Sequence, residues 1–146
     1  MKYLRRLSGL AVSLLLLVMV LALSVGAEGT ETQATILFTH DLHSHFFPQR
    51  TEDGGESGGY ARLMTALERE REAHPDAVTV DGGDFSVGSL GQTLYTSQAA
   101  ELRTMGAIGY DAPTAGNHEF EQTRLGFSQM INTAALSCGE TPALLM

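Results

Sequence analysis

The stretch ATILFTHDLHSH, residues 34–45, decides the fold class because an apolar run is followed at once by metal-binding side-chain types. Residues 34–39 are apolar at most positions, which is typical of a strand buried on both faces of a parallel sheet. Asp41 and His43 follow this strand two positions apart, so a curled loop could bring both onto one cation. A carboxylate with an imidazole suits Zn²⁺, Mn²⁺ or Fe²⁺ better than Ca²⁺ or Mg²⁺. A polar loop without metal would show the same pair.

The rest of the chain alternates helices and strands in a pattern typical of an α/β protein. The periodicity predicts helices over 60–73, 97–105 and 127–136. It also predicts strand segments over 77–80, 112–115 and 143–146, and a surface loop over 48–59. This order predicts a layered parallel sheet with flanking helices, whose right-handed crossovers place the carboxyl ends of the strands at one edge. Ligand sites in such sheets form beyond that edge.

The first predicted helix, 60–73, is amphipathic. Leu63, Met64 and Leu67 lie on one face, and a run of Glu and Arg residues lies on the other. We interpret the charged run as a face in contact with water rather than as a binding patch. In the second helix, Leu102 and Met105 are the expected core residues.

Two more polar clusters follow predicted strands and should meet the first at the same edge. Asp84 comes after two glycines, where the backbone can approach a neighbour closely. Asn117 and His118 place an amide oxygen and an imidazole side by side. Each cluster alone also fits a glycine-rich or polar turn, so the order and spacing of the three carry more weight than any one of them.

The N-terminus predicts an exported protein. Basic residues precede an uncharged stretch from Leu10 to Val25, which is followed by small residues, so residues 1–27 are interpreted as a secretory signal peptide and 28–33 as a linker. An uncleaved membrane anchor is the alternative, although the apolar stretch is shorter than the roughly 20 residues that span a bilayer. Residues 34–146 then form one domain. The lone Cys138 permits no intramolecular disulfide and is expected to fill apolar space.

The net charge of the chain limits the kinds of partner that are expected. The formal net charge of the chain is −8, and it becomes more negative if the basic leader is removed. A nucleic-acid duplex is therefore a poor partner. Bound cations would allow the acidic surface to handle phosphate groups.

The three clusters together resemble the first signature blocks of the calcineurin-like metallophosphoesterases. The blocks are DLH (41–43), GD (83–84) and GNHE (116–119), each after a predicted strand. The leader, GGYAR (58–62) and GNHEF (116–120) are similar to secreted 5′-nucleotidases and 2′,3′-cyclic-nucleotide phosphodiesterases. The resemblance implies a metallophosphoesterase-type sheet and a two-metal-activated hydroxide that hydrolyses nucleotide phosphoesters.

The resemblance also implies a ligand set for two divalent metal ions, Zn²⁺, Mn²⁺ or similar. Asp41 and His43 would hold the first ion, Asp84 would bridge both ions, and Asn117 would bind the second. A bridging hydroxide between two such ions attacks phosphorus in line.

The resemblance assigns different roles to the other histidines. His118 would lie over the phosphoryl group as a catalytic residue and would not bind metal, and His40 and His45 would be neighbours without metal contact. The family usually has an aspartate three residues after the catalytic histidine, where this chain has Glu121. Glu121 either orients the imidazole as that aspartate does or is a solvated surface residue.

No histidine follows His118, although the family completes its metal shell with later histidines and adds a nucleoside-binding domain. We therefore expect the chain to be the N-terminal part of an enzyme, with a missing C-terminal half as partner and little activity alone. A non-catalytic secreted metal-binding or interaction fragment is the alternative function. If the leader is not cleaved, a membrane-tethered structural domain is a third possibility.

Overall fold

The computed structural model describes Leu15, Met19 and residues 33–137 and 139–146. The predicted signal peptide apart from Leu15 and Met19, almost all of the predicted linker, and Cys138 lie outside the described residues. Residues 34–146 form one compact unit. Within the part of the chain that is described, no helix is long and apolar enough to cross a membrane.

The unit is an α/β structure built on a parallel sheet. In chain order its elements are β1 (Ile36–Thr39), β2 (Gln49–Arg50), β3 (Glu56–Ser57), α1 (Tyr60–Ala73), β4 (Val78–Asp81), a 3-10 helix (Leu90–Leu94), α2 (Tyr95–Gln98), α3 (Ala100–Ala107), β5 (Ala112–Pro113), a second 3-10 helix (His118–Phe120) and α4 (Thr123–Leu136). The main sheet has the order β1-β4-β5, and both pairings are parallel. The predicted fold class is confirmed.

The last predicted strand, 143–146, forms a single isolated β-bridge rather than a strand. Leu145 forms a single parallel bridge with Thr114, just after β5. Its backbone N–H donates to the Pro113 carbonyl at 2.8 Å. The chain therefore begins to extend the parallel sheet on the β5 side.

The core lies between the sheet and the helices, and all four α-helices contribute buried side chains to it. Its fully buried side chains include Phe85, Tyr95, Met105 and Met130. Leu102 and Met105 of α3 are buried as expected. Burial of such side chains stabilises the fold by roughly 1.5–3 kcal/mol each, and it fixes the helices against the strand ends that carry the polar clusters.

The expectation that β1 is buried on both faces is wrong. Ile36 and Phe38 are 64% and 60% exposed, and Val78 beside Ile36 is 47% exposed. Leu37, which points to the opposite face, packs against the core. Only one face of β1 therefore packs against the core, and a continuous apolar run cannot reveal which face has a covering layer.

Three element boundaries also differ from the expectations. The loop over 48–59 contains the short antiparallel hairpin β2–β3. The helix predicted at 97–105 is two helices, because Ala99 takes a left-handed conformation with φ of 47° between them. Helix α4 begins at Thr123, four residues before the predicted start. Good helix-forming residues around Ala99 give no hint of the break.

The charged run of α1 is not wholly solvated, because Arg71 turns inward. Its guanidinium donates to the carbonyls of Ile108 at 2.8 Å and Gly109 at 2.6 Å. It also donates to the Thr79 hydroxyl of β4 at 2.9 Å. Arg71 therefore ties α1 to the sheet and to the turn after α3, a role that charge patterning alone does not distinguish from a surface position.

Candidate metal centre

The loop after β1 is bonded along its length to the loop after β4. The backbone N–H groups of Asp41, His43 and Ser44 donate to the carbonyls of Gly83, Asp84 and Phe85 at 3.0, 3.1 and 2.8 Å. Parallel pairing of β1 with β4 places these two loops side by side. The first two predicted clusters therefore meet at the carboxyl edge of the sheet.

The turn after β5 reaches the same place through two glycines. A Cβ atom added to Gly83 would lie 2.5 Å from the Gly116 nitrogen, and one added to Gly116 would lie 2.6 Å from the Asp84 nitrogen. The His118 backbone N–H donates to Asp84 Oδ1 at 2.9 Å. The third cluster therefore packs directly against the second, at a spacing that only residues without a side chain permit.

Asp41 and His43 form the most compact pair of candidate ligands. Asp41 Oδ1 lies 3.3 Å from His43 Nε2. His43 Nδ1 lies 3.2 Å from the Val87 carbonyl oxygen, which can only accept a hydrogen bond. Nδ1 must therefore carry a proton in this contact, and in the neutral imidazole Nε2 presents its lone pair beside the carboxylate. Two acceptors this close favour a proton or a cation between them.

The second oxygen of Asp41 contacts His40. The His40 Nδ1 atom and Asp41 Oδ2 form a short hydrogen bond. This hydrogen bond is the main cause that lowers the pKa of Asp41, and the hydrogen bond with His43 lowers it further. Asp41 is thus held as a carboxylate, the form that binds metal.

The backbone around this pair is strained. Five non-glycine residues at the two loops have positive φ, namely Asp41 (55°), His43 (48°), Ser44 (53°), Asp84 (55°) and Val87 (64°). Such conformations are uncommon for residues with a side chain, and a β-branched residue is a true outlier there. Strain of this kind collects at functional sites, where the surrounding contacts hold it in place.

His118 and Glu121 lie in contact at the start of the segment that leads into α4. His118 Nδ1 and Glu121 Oε1 are 2.5 Å apart. The His118 ring also meets the His43 ring edge to face, with the ring centroids 4.9 Å apart. Glutamate therefore reaches the imidazole despite its extra methylene group, although the side chain of Glu121 is 51% exposed.

Asn117 and His45 are placed less closely. Asn117 is exposed at the start of the second 3-10 helix, and its side chain makes no hydrogen bond with any described residue. His45 Nδ1 lies 3.0 Å from Gln49 Nε2. The structure therefore brings Asp41, His43, Asp84 and His118 together and leaves the Asn117 amide at the rim.

Glu119 is the functional-site residue that the sequence reasoning missed. Its carboxylate is fully buried and accepts four hydrogen bonds, from the backbone N–H of Asp84 (2.9 Å), Ser86 (2.9 Å) and Gly116 (2.6 Å) and from the Ser86 hydroxyl (2.8 Å). The Tyr95 hydroxyl donates to the Glu119 backbone carbonyl at 2.8 Å. Glu119 thus joins the loops after β4 and β5. An acid beside a polar turn has no sequence pattern that distinguishes this role.

The donor set fits a divalent cation in part. Carboxylate and imidazole are suitable ligand types, and Asp41 and His43 are close enough to share one ion. Among residues 33–137 and 139–146, however, no three His, Cys, Asp or Glu side chains converge as a ready metal cluster. The described residues therefore supply an incomplete set of metal ligands. Asp84 lies next to the Asp41–His43 pair because its carbonyl accepts from the His43 backbone N–H.

A cleft of about 420 Å³ opens beside Asp41. Its lining includes Asp41, Leu42, His45, Tyr60, Arg62 and Leu63. The Arg62 guanidinium is paired with Glu56 at 2.8 Å. Asp41 is therefore reachable from solvent through a cleft that carries both polar and apolar groups.

This chain is similar to known proteins. Residues 34–138 match the calcineurin-like phosphoesterase family. Human 5′-nucleotidase is 38% identical over 96 residues, which cover 61% of this chain and 16% of that protein. The snake venom 5′-nucleotidase of Gloydius brevicauda is 34% identical over 111 residues, which cover 72% of this chain and 18% of that protein.

A solved structure gives the same result. The crystal structure of a 5′-nucleotidase precursor from Thermus thermophilus superposes with a TM-score of 0.61 at 27% identity, over 69% of this chain and 20% of that chain. The chain thus spans less than a fifth of the length of the two curated relatives described above. Because the family match covers most of the chain and includes all three polar clusters, the chain belongs to the calcineurin-like phosphoesterase family.

Proposed function

We propose that this chain provides the N-terminal metal-binding part of a 5′-nucleotidase-like hydrolase that cleaves nucleotide phosphoesters. The observation that carries the proposal is the 3.3 Å approach of Asp41 Oδ1 to His43 Nε2 at the carboxyl edge of a parallel sheet. The relatives that match it are named 5′-nucleotidases. The family is generally dependent on divalent metal ions.

Four residues are the proposed ligands of two divalent ions. Asp41 and His43 would hold one ion, Asn117 would hold the second, and Asp84 would contribute its carboxylate to both. Bound in this way, the ions supply Lewis-acid stabilisation and a nucleophilic hydroxide at neutral pH. Asp84 uses Oδ1 to accept from the His118 backbone N–H, and its Oδ2 makes no hydrogen bond with the described residues.

His118 is the proposed catalytic residue on the phosphoryl group. Its Nδ1 faces Glu121 at 2.5 Å, so the ring is oriented and Nε2 is left for the substrate. When both nitrogens carry protons, the Glu121 carboxylate stabilises the imidazolium, and Nε2 holds a proton that can be donated to the leaving oxygen. The nearby His43 ring restricts the movement of His118 on one side.

We infer an extracellular or cell-envelope location. The support is the leader pattern over residues 1–27 together with the snake venom source of one relative. The proposed partners are a nucleotide or other phosphoester substrate and a C-terminal half that completes the metal shell. Contact with a membrane requires an uncleaved leader.

A second function is favoured by one observation. No three His, Cys, Asp or Glu side chains among the described residues converge on one point, and the Asn117 side chain is exposed. A chain with this donor set could hold one cation weakly without hydrolysing a phosphoester. The alternative is therefore a non-catalytic secreted metal-binding or interaction fragment.

The two functions are separated by measuring metal binding and phosphate release on the same samples. Mn²⁺ binding is followed by calorimetry, and release of phosphate from 5′-AMP is followed for the chain alone and for the chain joined to the C-terminal part of the Thermus relative. Asp84→Asn should weaken Mn²⁺ binding and abolish phosphate release in the joined protein. Asp53→Asn, in the exposed β2–β3 turn, is the matched control and should change neither.

Mn²⁺ binding without phosphate release from the joined protein would support the non-catalytic alternative. Phosphate release that Asp84→Asn leaves unchanged would contradict the proposed metal centre.

A further inference from the structure

A buried carboxyl group lies against the loop after β1 and has no role in the proposed reaction. Glu101 of α3 is fully buried. Its Oε1 atom accepts a hydrogen bond from the Ser44 hydroxyl at 2.7 Å. Its Oε2 atom is buried without a hydrogen-bond partner among the described residues. A buried acid with one unmatched oxygen is costly, so its presence in the core calls for an explanation.

Ser44, the partner of Glu101, directly follows the proposed metal ligand His43. Its own backbone is left-handed, with φ of 53°. Its N–H donates to the Phe85 carbonyl at 2.8 Å, and its carbonyl accepts from the Phe46 N–H at 2.8 Å and from the Ser89 hydroxyl. Ser44 is therefore held through its N–H, its carbonyl and its hydroxyl, and Glu101 is the helical group that holds its side chain.

The Tyr60 hydroxyl is the second unmatched polar atom of the same region. It is buried without a partner among the described residues. The Tyr60 ring stacks on Phe46, two residues after Ser44, with centroids 4.9 Å apart. Burial raises the pKa of Tyr60, and the negative charge of Glu101 is the next largest cause. A hydroxyl donor and a carboxyl acceptor are chemically complementary.

We propose that Glu101 is a positioning residue for His43, which it holds through Ser44, and that its second oxygen is linked to the Tyr60 hydroxyl through one buried water. The inference rests on the proposed role of His43 as a metal ligand. Left-handed backbone at His43 and Ser44 persists only where surrounding contacts over-determine it. Glu101 supplies such a contact from the helix behind the loop.

A purely structural role makes a different prediction. Buried polar groups can often be replaced by apolar ones without loss of stability. If Glu101 only filled the core, the loop would be indifferent to the Ser44 hydroxyl. If Glu101 positions His43, loss of that hydroxyl should loosen the loop and weaken metal binding, while an amide acceptor at position 101 should preserve both.

The test compares three variants of the full chain in two measurements. Ser44→Ala removes the hydrogen bond. Glu101→Gln keeps an acceptor for Ser44 and a second polar atom that a bridging water can reach, since water both donates and accepts. Leu102→Ala is a control that weakens the same helix without a polar change. Amide hydrogen exchange of residues 41–46 is measured without metal. Mn²⁺ affinity is measured by calorimetry, and thermal unfolding is recorded for all variants.

Ser44→Ala should accelerate exchange of the amides at positions 43 and 44 about ten-fold and weaken Mn²⁺ binding about 10–100-fold. Glu101→Gln should stay within about three-fold of wild type in both measurements, because its hydrogen bonds are retained. Leu102→Ala should lower the unfolding temperature without a selective change in the loop.

The inference is overturned if Ser44→Ala exchanges like wild type, if Leu102→Ala opens the loop equally, or if Glu101→Gln is as damaging as Ser44→Ala. Should the wild-type chain bind no Mn²⁺, the proposed metal centre fails, and the exchange measurement still decides whether Glu101 holds the loop.

Discussion

Replacing Glu119 by glutamine should destabilise the protein by about 3 kcal/mol, although the two side chains have nearly the same shape. The carboxylate has two oxygens, and each accepts two hydrogen bonds. Oε2 serves the backbone N–H groups of Asp84 and Gly116, and Oε1 serves the N–H and the hydroxyl of Ser86. A glutamine has only one oxygen and can satisfy only one of these pairs.

The magnitude follows from the best placement of the amide. In this placement the glutamine oxygen accepts from Asp84 and Gly116, and the amide nitrogen faces Ser86. The Ser86 hydroxyl can turn to accept a hydrogen bond from that nitrogen, but the Ser86 backbone N–H loses its acceptor. An unsatisfied buried donor costs about 1–3 kcal/mol. The two remaining bonds lose their charge assistance, which is about half of their strength. Taking about 1 kcal/mol for each of the three affected N–H groups gives the total.

Urea unfolding measures this loss directly. Glu121→Gln is the matched control, because Glu121 is 51% exposed and contacts only the His118 ring, so its change should be below about 0.5 kcal/mol. A Glu119→Gln variant that loses less than about 1 kcal/mol would refute the view that this carboxylate joins the two loops. Glu119→Ala leaves all four donors without an acceptor and should be less stable than both Glu119→Gln and Glu121→Gln.

Three other perturbations have defined outcomes. His118→Asn should lower turnover of the joined enzyme by about 10²–10⁴ with Mn²⁺ affinity nearly unchanged, and loss of the metal would instead make His118 a ligand. Glu121→Ala should lower turnover and Glu121→Asp should preserve it, whereas an unchanged rate for the alanine variant would mark Glu121 as a surface residue. Burial raises the pKa of Glu101 above its usual 4.5, so the folded state keeps this proton to higher pH than the unfolded state. The stability of wild type relative to Glu101→Gln should therefore be greatest below pH 4.5 and fall as the pH rises through the folded pKa. A stability difference that does not change with pH would contradict this prediction.

The fold and the meeting of the polar clusters could be predicted from the sequence, because both follow from the hydrophobic periodicity and from the order of strands and helices along the chain. Alternating strands and helices require a parallel sheet, and parallel strands bring Asp41, Asp84 and His118 to one edge. The helix over 60–73 was predicted to its observed limits because an amphipathic pattern, an initial glycine pair and a terminal proline all agree.

Other features depend on contacts that no local pattern encodes. The inward turn of Arg71 depends on free carbonyls at Ile108 and Gly109, which are distant in sequence. The break at Ala99 and the exposed face of β1 depend on which layers are present around them. The same limit applies to the buried acids, since a glutamate in a helix or turn has the same sequence pattern whether it faces water or the core.

The contact between Gly83 and Gly116 fixes the backbone of the two turns that carry the proposed ligands Asp84 and Asn117. A single methyl group at either glycine would collide with the other turn, so the two turns must be kept or redesigned as a pair. The exposed Asn117 side chain is under no such joint restriction, whereas Asp84 Oδ1 is bonded to the backbone N–H of His118 in the other turn. A library that aims to change metal preference can therefore randomise position 117 while both glycines and Asp84 stay fixed, and functional variants recovered from it should differ in coordination chemistry but share one backbone.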